Sequence, residues 1–349
     1  MTSKREIESL WPESQFKTWM DPEYQHDLAS VIIPVYQREN LIEACIRSVG
    51  NQTYRPIELI VVDDGSSDKT IEVSRRIASE YELKGSFEFK LLSQKNAGAP
   101  TARNRGLLES NGEFIQSLDS DDILHSQKLS IGVAGLRRHE ECGSAWSPLC
   151  RFDDEDAIVK GSTGEALEQN GQVTAMTNNL FVPQFLPSAG LHRRSVLCAS
   201  GPWAESLRRW QDLELQVRLA LCIDSYYATK TPLYFFRQHG GERISSQFGQ
   251  RRGIQSGFRS LASVKRVLSA VEHADKAIEA ELSALYMTLA MSAAEFDEPT
   301  DFRNALVLAR LHRPEMIFHI RTALLGSIHK VFGGTIAARL YSLYTSRAN

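Results

Sequence analysis

The chain has 349 residues, of which 42% are hydrophobic and 24% are charged, and its formal net charge is -3. This length supplies enough apolar residues for a sizeable core, and the small net charge, with Lys and Arg spread along the chain, argues against a nucleic-acid partner. The five cysteines form no CxxC pair, the N-terminus lacks the apolar core of a signal peptide, and no apolar run reaches the ~20 residues of a membrane span. We therefore expect a cytoplasmic globular protein that is neither exported nor integral to a membrane.

The first half of the chain alternates short apolar runs with amphipathic segments. The apolar runs predict buried strands at residues 29–35, 57–62, 87–92 and 113–118. Apolar residues at helical spacing predict helices at about residues 40–52, 68–81 and 100–109. Strands and helices that alternate through short connections predict an α/β fold with a mostly parallel sheet.

Polar residues follow each of the four predicted strands. They are the clusters Pro34–Tyr36, Asp63–Ser67, Asn96–Gly98 and Asp119–Asp122. Because ligands of such sheets bind beyond the carboxyl ends of the strands, we expect the four clusters to meet at one edge. Asp63–Ser67 taken alone is equally typical of a turn and a helix N-cap.

The cluster after the fourth strand contains three carboxylates, Asp119, Asp121 and Asp122. Their mutual repulsion and desolvation are costly, and a bound divalent cation would offset both. Carboxylate oxygens without nearby thiols favour Mg or Mn, which commonly bridge to substrate phosphates. The chain has no GxxxxGK[ST] loop and no GxGxxG after its first strand, which argues against an ATPase and a dehydrogenase.

Four ordered stretches, "VIIPVYQREN", "ELIVVDDGSSDKT", "NAGAPTARNRGL" and "FIQSLDSDD", resemble the family 2 glycosyltransferases of the GT-A fold. The resemblance covers roughly residues 29–247 and implies inverting transfer of a sugar from a nucleotide diphosphate donor, usually a UDP-sugar. It implies that Pro34 and Tyr36 border the nucleoside, that Asp63 or Asp64 meets the base, and that Asp119-Ser120-Asp121 is a DxD motif for the metal, the ribose and the diphosphate. Asn96 and Arg103 are further expected donor contacts, and Asp121 is an expected metal ligand.

The stretch "ESLRRWQDLELQVRLA" (residues 205–220) resembles the segment in which this family carries a Glu-Asp pair. The resemblance makes Asp212 the general base that takes the proton of the acceptor hydroxyl. Gln211 replaces the Glu of the pair, and Glu214 is a nearby competitor for the role of base. The alternative for Asp212 is a helix N-terminal residue favoured by the helix dipole. Trp210 is expected to stack on a sugar, although an aromatic side chain there is equally consistent with the core.

The stretch "YFFRQHGGERISSQ" (residues 234–247) resembles the Tyr-Arg-x-His segment of the family. It implies that Arg237 contacts the donor and that His239 completes the metal shell or touches the diphosphate. The alternatives are an Arg237 that pairs with a carboxylate and a His239 that is an ordinary surface or buried histidine. A neutral imidazole ligand suits Mn better than Mg.

The remaining stretches carry weaker signals. Residues 150–172 are acidic and Gly-rich, which predicts a solvated loop or a short hairpin, whereas residues 185–203 resemble the strand and turn before the base, with Trp203 a candidate for lining the acceptor site. We expect a lead segment at 1–28, the GT-A domain at 29–247 and a helical region at 248–349. Within that region, residues 316–344 predict an amphipathic helix that packs on another surface or lies on the inner face of a membrane.

Two classes of function fit these patterns. The leading one is a metal-dependent inverting glycosyltransferase that acts on a glycan or lipid-linked acceptor in polysaccharide synthesis. The other is a non-catalytic subunit that binds a sugar nucleotide. The replacement at Gln211 favours the second class slightly, and the presence of Asp119, Asp121 and Asp212 argues against it.

Overall fold

The computed structural model describes residues 20–83, 85–152, 171–175, 187–238, 251–270 and 276–313. These residues form two compact units, one within Met1–Glu205 and Leu215–Gly240 and the other within Ser206–Glu214 and Gly241–Asn349. The second unit therefore includes residues 206–214, which the sequence assigned to the domain at 29–247.

The first part of unit 1 alternates parallel strands with helices. Its elements are β1 (Gln25–Val35), α1 (Ile42–Gly50), β2 (Ile57–Asp63), α2 (Thr70–Glu82), β3 (Phe87–Ser93), α3 (Ala99–Leu108) and β4 (Gly112–Ser117). This order confirms the predicted alternation, although β1 begins at Gln25 rather than Ala29. Every residue of β2 is buried, as expected for a parallel strand covered on both faces.

The rest of unit 1 extends this sheet and adds a small second one. Its elements are β5 (Ile123–Leu124), α4 (Lys128–Arg138), β6 (Cys142–Trp146), β7 (Leu149–Phe152), β8 (Gly171–Ala175), a 3-10 turn (Pro187–Ala189), β9 (Gly190–Arg193), α5 (Arg194–Ser200), α6 (Gln211–Leu221), β10 (Ser225–Thr229) and β11 (Tyr234–Arg237), the first residues of α6 belonging to unit 2. The large sheet has the strand order β3-β2-β1-β4-β9-β6-β10-β8, and the small sheet has the order β5-β11-β7.

The large sheet is parallel from β3 to β4, as predicted. Beyond β4 the strand directions are mixed: β9 runs antiparallel to both β4 and β6, β10 runs parallel to β6, and β8 runs antiparallel to β10. The second half of the sheet is therefore mixed rather than mostly parallel. Regular strand-helix alternation ends after β4, and with it the pattern that predicts strand direction.

Unit 2 contains the helices α7 (Arg251–Ala270), α8 (Lys276–Glu295) and α9 (Pro299–His312). Their buried faces share one apolar core, which includes Ile254, Leu261, Tyr286, Leu289, Phe302 and Leu306. This core confirms the helical region predicted after the sheet. Of the described helices, none combines the length and the hydropathy that crossing a membrane requires.

Candidate functional site

The carboxyl ends of the first parallel strands lie side by side at one edge of the sheet. Asp63 at the end of β2 pairs with Val35 of β1 on one side and with Ser93 of β3 on the other. The backbone continues this alignment past the strand ends, because the Asp64 N–H donates to the Val35 carbonyl at 2.8 Å and the Leu118 N–H donates to the Ile32 carbonyl at 2.9 Å. The structure thus brings the predicted polar clusters together.

Asp64 fixes the loop between β3 and α3. Its buried carboxylate accepts hydrogen bonds from Gln94 Nε2 at 2.8 Å, from the Ala97 N–H at 2.9 Å and from the Gly98 N–H at 2.7 Å. Bonds from backbone N–H groups to a carboxylate are charge-assisted, so they hold this loop firmly. The loop carries Asn96, whose side chain is exposed at the edge.

Asp63 shapes its own turn in the same way. Its buried carboxylate accepts the N–H groups of Gly65 at 3.2 Å and Ser66 at 3.1 Å. Ser66 in turn accepts the N–H of Gln37, which follows Tyr36, at 2.9 Å. Pro34 is buried within β1, whereas the Tyr36 side chain is 43% exposed. Of the residues predicted to border the nucleoside, Tyr36 is therefore the one that presents a surface.

The Asp119–Asp122 cluster begins with an ion pair. Arg103 of α3 donates from Nη2 to Asp119 Oδ1 at 2.7 Å, and its guanidinium lies 4.5 Å above the ring of Trp203. Arg103 is 5% exposed, and its Nε and Nη1 atoms have no hydrogen-bond partner among the described residues. Buried N–H donors without an acceptor are costly, so they suit an anionic ligand bound beside Asp119.

Trp203 is buried beneath Arg103, which corrects the expectation that it lines the acceptor site. Its backbone is held at both ends by Asn104, whose Oδ1 accepts the Trp203 N–H at 2.8 Å and whose Nδ2 donates to the Trp203 carbonyl at 3.0 Å. Asn104 also donates to Glu205 Oε1 at 2.9 Å. Helix α3 therefore anchors the segment that precedes the predicted base.

The three carboxylates of the cluster do not face one site. Asp119 and Asp121 are partly exposed and Ser120 is buried, whereas Asp122 is 1% exposed. Asp122 accepts hydrogen bonds from the Tyr234 hydroxyl and from the Arg237 N–H. Burial, and then the charges of Asp119 and Asp121, raise the pKa of Asp122 to about 8. The idea that one cation would offset the charge of all three carboxylates therefore does not extend to Asp122.

Arg237 lies on β11 and supports the backbone of this cluster. Its Nε donates to the Asp121 carbonyl at 2.8 Å, and its guanidinium stacks on the ring of Phe152 at 4.8 Å. The predicted donor contact of Arg237 is thus accompanied by a bond that holds the main chain at Asp121. His239 lies outside the described residues.

The residues present fit a metal ion that is held jointly with a diphosphate. In the part of the chain that is described, no three His, Cys, Asp or Glu side chains are arranged to hold one metal ion. Mg and Mn at nucleotide sites, however, usually take one or two carboxylates and complete their shell with phosphate oxygens and water. Asp121 offers such a carboxylate, and the unpartnered nitrogen atoms of Arg103 point to an anion close by.

Asp212 is the second residue of α6 and is partly exposed. Glu214, its competitor as a base, is 0% exposed and accepts a hydrogen bond from Ser263 Oγ at 3.0 Å. Trp210 is partly buried against the core of unit 2, and the guanidinium of Arg209 lies 4.6 Å from its ring. This packing favours the core interpretation of Trp210 over sugar stacking.

Two contacts at the cluster were not anticipated from the sequence. Ser188 Oγ accepts the Asp119 N–H at 3.1 Å, and Cys45 Sγ donates to the Asp119 carbonyl at 3.4 Å. Ser188 and Asp119 are 69 positions apart, and no local pattern links them. The Ser188-Ala189-Gly190 stretch, small residues before a strand, was the available hint of a close approach.

Comparison with known proteins finds relatives of this chain among the glycosyltransferases. Residues 30–197 match the family model described as glycosyl transferase family 2. The putative glycosyltransferase EpsH of Bacillus subtilis is 43% identical over 245 residues, which are 66% of this chain and 65% of that protein. The GalNAc(5)-diNAcBac-PP-undecaprenol beta-1,3-glucosyltransferase of Campylobacter jejuni is 30% identical over 145 residues, which are 42% of this chain and 45% of that protein. The match thus spans less than two thirds of each of these relatives.

Solved structures show the same fold. The S. aureus TarS 1-349 complex with UDP-GlcNAc superposes with a TM-score of 0.64 at 19% identity, over 81% of each chain. The mannosyltransferase PcManGT from Pyrobaculum calidifontis, in complex with GDP-Man and Mn2+, superposes with a TM-score of 0.51 at 18% identity, over 98% of this chain and 96% of that one. The α/β GT-A architecture is therefore confirmed, and the motifs, the family match over residues 30–197 and the fold together support a family 2 glycosyltransferase.

Proposed function

We propose that this chain is an inverting glycosyltransferase that moves a sugar from a nucleotide diphosphate sugar to a saccharide or lipid-linked acceptor in polysaccharide or glycoconjugate synthesis. The observation that carries the proposal is the buried Arg103, which pairs with Asp119 at the strand ends and keeps two nitrogen atoms without a partner among the described residues. Such a pair suits a ligand with both a hydroxyl-bearing sugar and a diphosphate. The two relatives named above, a putative glycosyltransferase and a glucosyltransferase with a lipid-linked substrate in its name, support this class of reaction.

The donor is expected to lie across the carboxyl ends of β1 to β4. Tyr36 would border the nucleoside, and the turn shaped by Asp63 and the loop with Asn96 would contact the base. Asp119 would accept a hydrogen bond from a ribose hydroxyl. We favour UDP as the nucleotide on the resemblance and on the UDP-GlcNAc bound to TarS.

Asp121 would hold a Mn or Mg ion, together with His239 and the diphosphate. When bound, the ion neutralises charge on the diphosphate leaving group. The Mn2+ in the PcManGT complex supports a divalent metal of this kind. Arg103 and Asp119 would position the donor. The carboxylate of Asp212 would take the proton of the acceptor hydroxyl as that hydroxyl attacks the donor sugar.

A panel of nucleotide sugars, tested by thermal unfolding with and without Mn2+, examines this proposal. A ligand at 100 times its dissociation constant stabilises the folded state by about 2.7 kcal/mol, so one nucleotide sugar should raise the melting temperature, and more so with Mn2+. Asp121→Ala should lose the Mn2+-dependent part of the shift, whereas Asp224→Ala, a change at an exposed aspartate, should keep it. Absence of any shift across the panel would count against the proposal at its root. A shift with no sugar transfer to any acceptor would instead favour a non-catalytic, sugar-nucleotide-binding subunit.

A further inference from the structure

The third carboxylate of the acidic cluster faces the protein interior. The Asp122 N–H donates to the Asp119 carbonyl at 3.0 Å, which closes a four-residue turn. This turn places Asp119 and Asp121 at partly exposed positions and Asp122 at a buried one. Asp122 therefore shares a turn with the two carboxylates of the donor site without sharing their environment.

Strand β11 supplies the groups that hold Asp122. The Arg237 N–H donates to Asp122 Oδ1 at 3.0 Å, and the Tyr234 hydroxyl donates to Oδ2. From the same strand, Arg237 Nε donates to the Asp121 carbonyl at 2.8 Å. β11 itself is fixed by pairing with β5, which begins at Ile123, the residue directly after the turn. The turn is thus bonded to β11 through its last two residues.

The first residue of the turn is held from other elements. Ser188 Oγ accepts the Asp119 N–H, and Cys45 Sγ of α1 donates to the Asp119 carbonyl. Neither contact constrains the end of the turn at Asp121. The bonds from β11 to Asp122 and to the Asp121 carbonyl hold that end of the turn.

We propose that Asp122 is a positioning residue, whose buried carboxylate latches the 119–122 turn to Tyr234 and Arg237 and thereby sets the orientation of the Asp121 carboxylate toward metal and diphosphate. The inference rests on the proposed function and adds a role for a third carboxylate. Burying a carboxyl group is costly, and its hydrogen bonds mainly offset that cost, so its presence here is better explained by geometry than by stability. Carboxylates that bind metal ions are commonly oriented by hydrogen bonds from the residues around them, and the bonds to Asp122 would orient Asp121 through the turn in a comparable way.

Two variants test the latch at its two sides. Tyr234→Phe deletes the hydroxyl that donates to Asp122, and Asp122→Asn keeps the shape but replaces one acceptor oxygen with a donor. Both should raise the Mn2+ concentration that half-saturates UDP binding by about 10- to 100-fold, the usual effect of removing a group that orients a metal ligand. Binding of UDP in EDTA should stay close to the wild-type value, because the contacts to the nucleoside are unchanged.

Tyr227→Phe is the matched control, since Tyr227 is a buried tyrosine of β10 that packs against Gly135 and Gly171, away from the turn. It should leave the Mn2+ titration at the wild-type value. UDP binding is followed by calorimetry at fixed UDP and increasing Mn2+, and the melting temperature of each variant is measured in parallel. If Asp122→Asn fails to fold, Tyr234→Phe carries the test, because it removes one oxygen atom only.

Several outcomes would overturn the inference. Variants that lower the melting temperature but titrate with Mn2+ like the wild type would show a purely structural role. A strong loss in Asp122→Asn beside a normal or tighter Mn2+ titration in Tyr234→Phe would show that Asp122 is itself a metal ligand. If UDP binding by the wild-type protein did not depend on Mn2+, the proposed function and the latch would both be overturned. If Mn2+ strengthened UDP binding by the wild type and by both variants to the same extent, the latch alone would be overturned.

Discussion

The carboxylates at the strand ends fall into two groups that differ in burial and in hydrogen-bond partners. Asp63, Asp64 and Asp122 are buried and accept hydrogen bonds from backbone N–H groups or from a hydroxyl, so they shape the loops that line the site. Asp119 and Asp121 are partly exposed, and Asp119 bonds a buried arginine. A carboxylate whose lone pairs already accept hydrogen bonds from the protein has fewer left for a ligand, so burial and partners separate these three residues from Asp119 and Asp121, which we propose to contact the donor and the metal.

The first prediction concerns the base. Asp212→Asn keeps the shape of the side chain and removes its basic oxygen, and a positioned base contributes typically ~10² to 10⁴-fold. We therefore expect a fall in transfer rate of about that size with nearly unchanged nucleotide-sugar affinity, because the base acts in the transition state. Steady-state transfer assays combined with donor-binding calorimetry provide the measurement.

Glu214→Gln is the control for the base. The Glu214 carboxylate is fully buried and bonded to Ser263, so its replacement should cost far less transfer activity. If Glu214→Gln abolished transfer while Asp212→Asn transferred normally, the base would be misassigned, although the donor site would stand.

A buried lysine gives the second prediction. Lys128 begins α4, is 2% exposed, and donates to Ser147 Oγ and the Ala189 carbonyl. Burial lowers the pKa of Lys128 to about 7, whereas the unfolded chain keeps the usual value near 10.5. Between these values the unfolded state binds more protons, so the contribution of Lys128 to stability grows as pH rises and is lost as pH falls through 7.

We expect the unfolding free energy of the wild type, relative to Lys128→Met, to rise by up to about 1.4 kcal/mol per pH unit between pH 7 and 10. Urea titrations at four pH values would measure it. Lys90→Met is the control: burial lowers the pKa of Lys90, but Glu58 more than offsets this and the net pKa is raised, so its difference from wild type should be flat in the same window. A flat line for Lys128 would contradict the prediction.

At the scale of elements, the site depends on two loops that fit closely together. The turn after β2 contains Gly65 with φ of +87°, and an added Cβ there would lie 3.1 Å from the Asn96 nitrogen and 3.3 Å from the Gln94 carbonyl oxygen. Asp64 bonds the same β3–α3 loop through two backbone N–H groups. The turn and the loop therefore behave as one piece, and their fit sets the place of Asn96.

The third prediction tests this fit with two glycines. Gly65→Ala should cost about 1–2 kcal/mol for the left-handed backbone and more for the contact with residues 94–96, and it should also weaken nucleotide-sugar binding. Gly85→Ala shares the positive φ, +76°, but its added Cβ would meet nothing within 4 Å. It should show the backbone cost alone and normal binding. Denaturant unfolding and donor titration of both variants compare the two, and equal losses of affinity would refute the coupling.

At the scale of the whole molecule, the chain divides its apolar residues between two cores. The sheet and its helices bury one set, and the helices α7, α8 and α9 bury another around Phe302 and Leu289. The predicted helix at residues 316–344 lies outside the described residues. Its two interpretations, a packed helix and a membrane-surface helix, lead to opposite results on deletion.

The fourth prediction removes residues 316–344. If they pack on the protein, the deletion should lower the melting temperature or cause aggregation. Each Å² of apolar surface that is no longer buried removes roughly 25 cal/mol of stabilisation. If they lie on a membrane, the shortened chain should melt normally but no longer sediment with anionic liposomes. We favour packing, and neutral liposomes serve as the control. Normal melting together with loss of sedimentation would contradict that preference.

The local pattern of the sequence was sufficient for the first half of the fold. Strands β1 to β4, the helices between them and the four polar clusters at the strand ends follow from apolar periodicity and turn residues, which are properties of contiguous segments. The direction of β9 was not accessible in this way, because it depends on pairing with β4 and β6, which are distant in the chain. The same limit applies to Trp203, which is buried beneath Arg103, a residue 100 positions earlier in the chain.

The sequence by itself determined an α/β fold whose acidic residues gather at one sheet edge, and its motifs resemble those of the family 2 glycosyltransferases. The tertiary structure alone decided which of those residues are exposed and which are used as support. Asp122 is a support because Tyr234 and Arg237, 112 and 115 positions later, reach its oxygen atoms. Burial and hydrogen bonding are set by residues that meet only in the folded chain, so the identical side chains of the adjacent residues Asp121 and Asp122 acquire different chemistry.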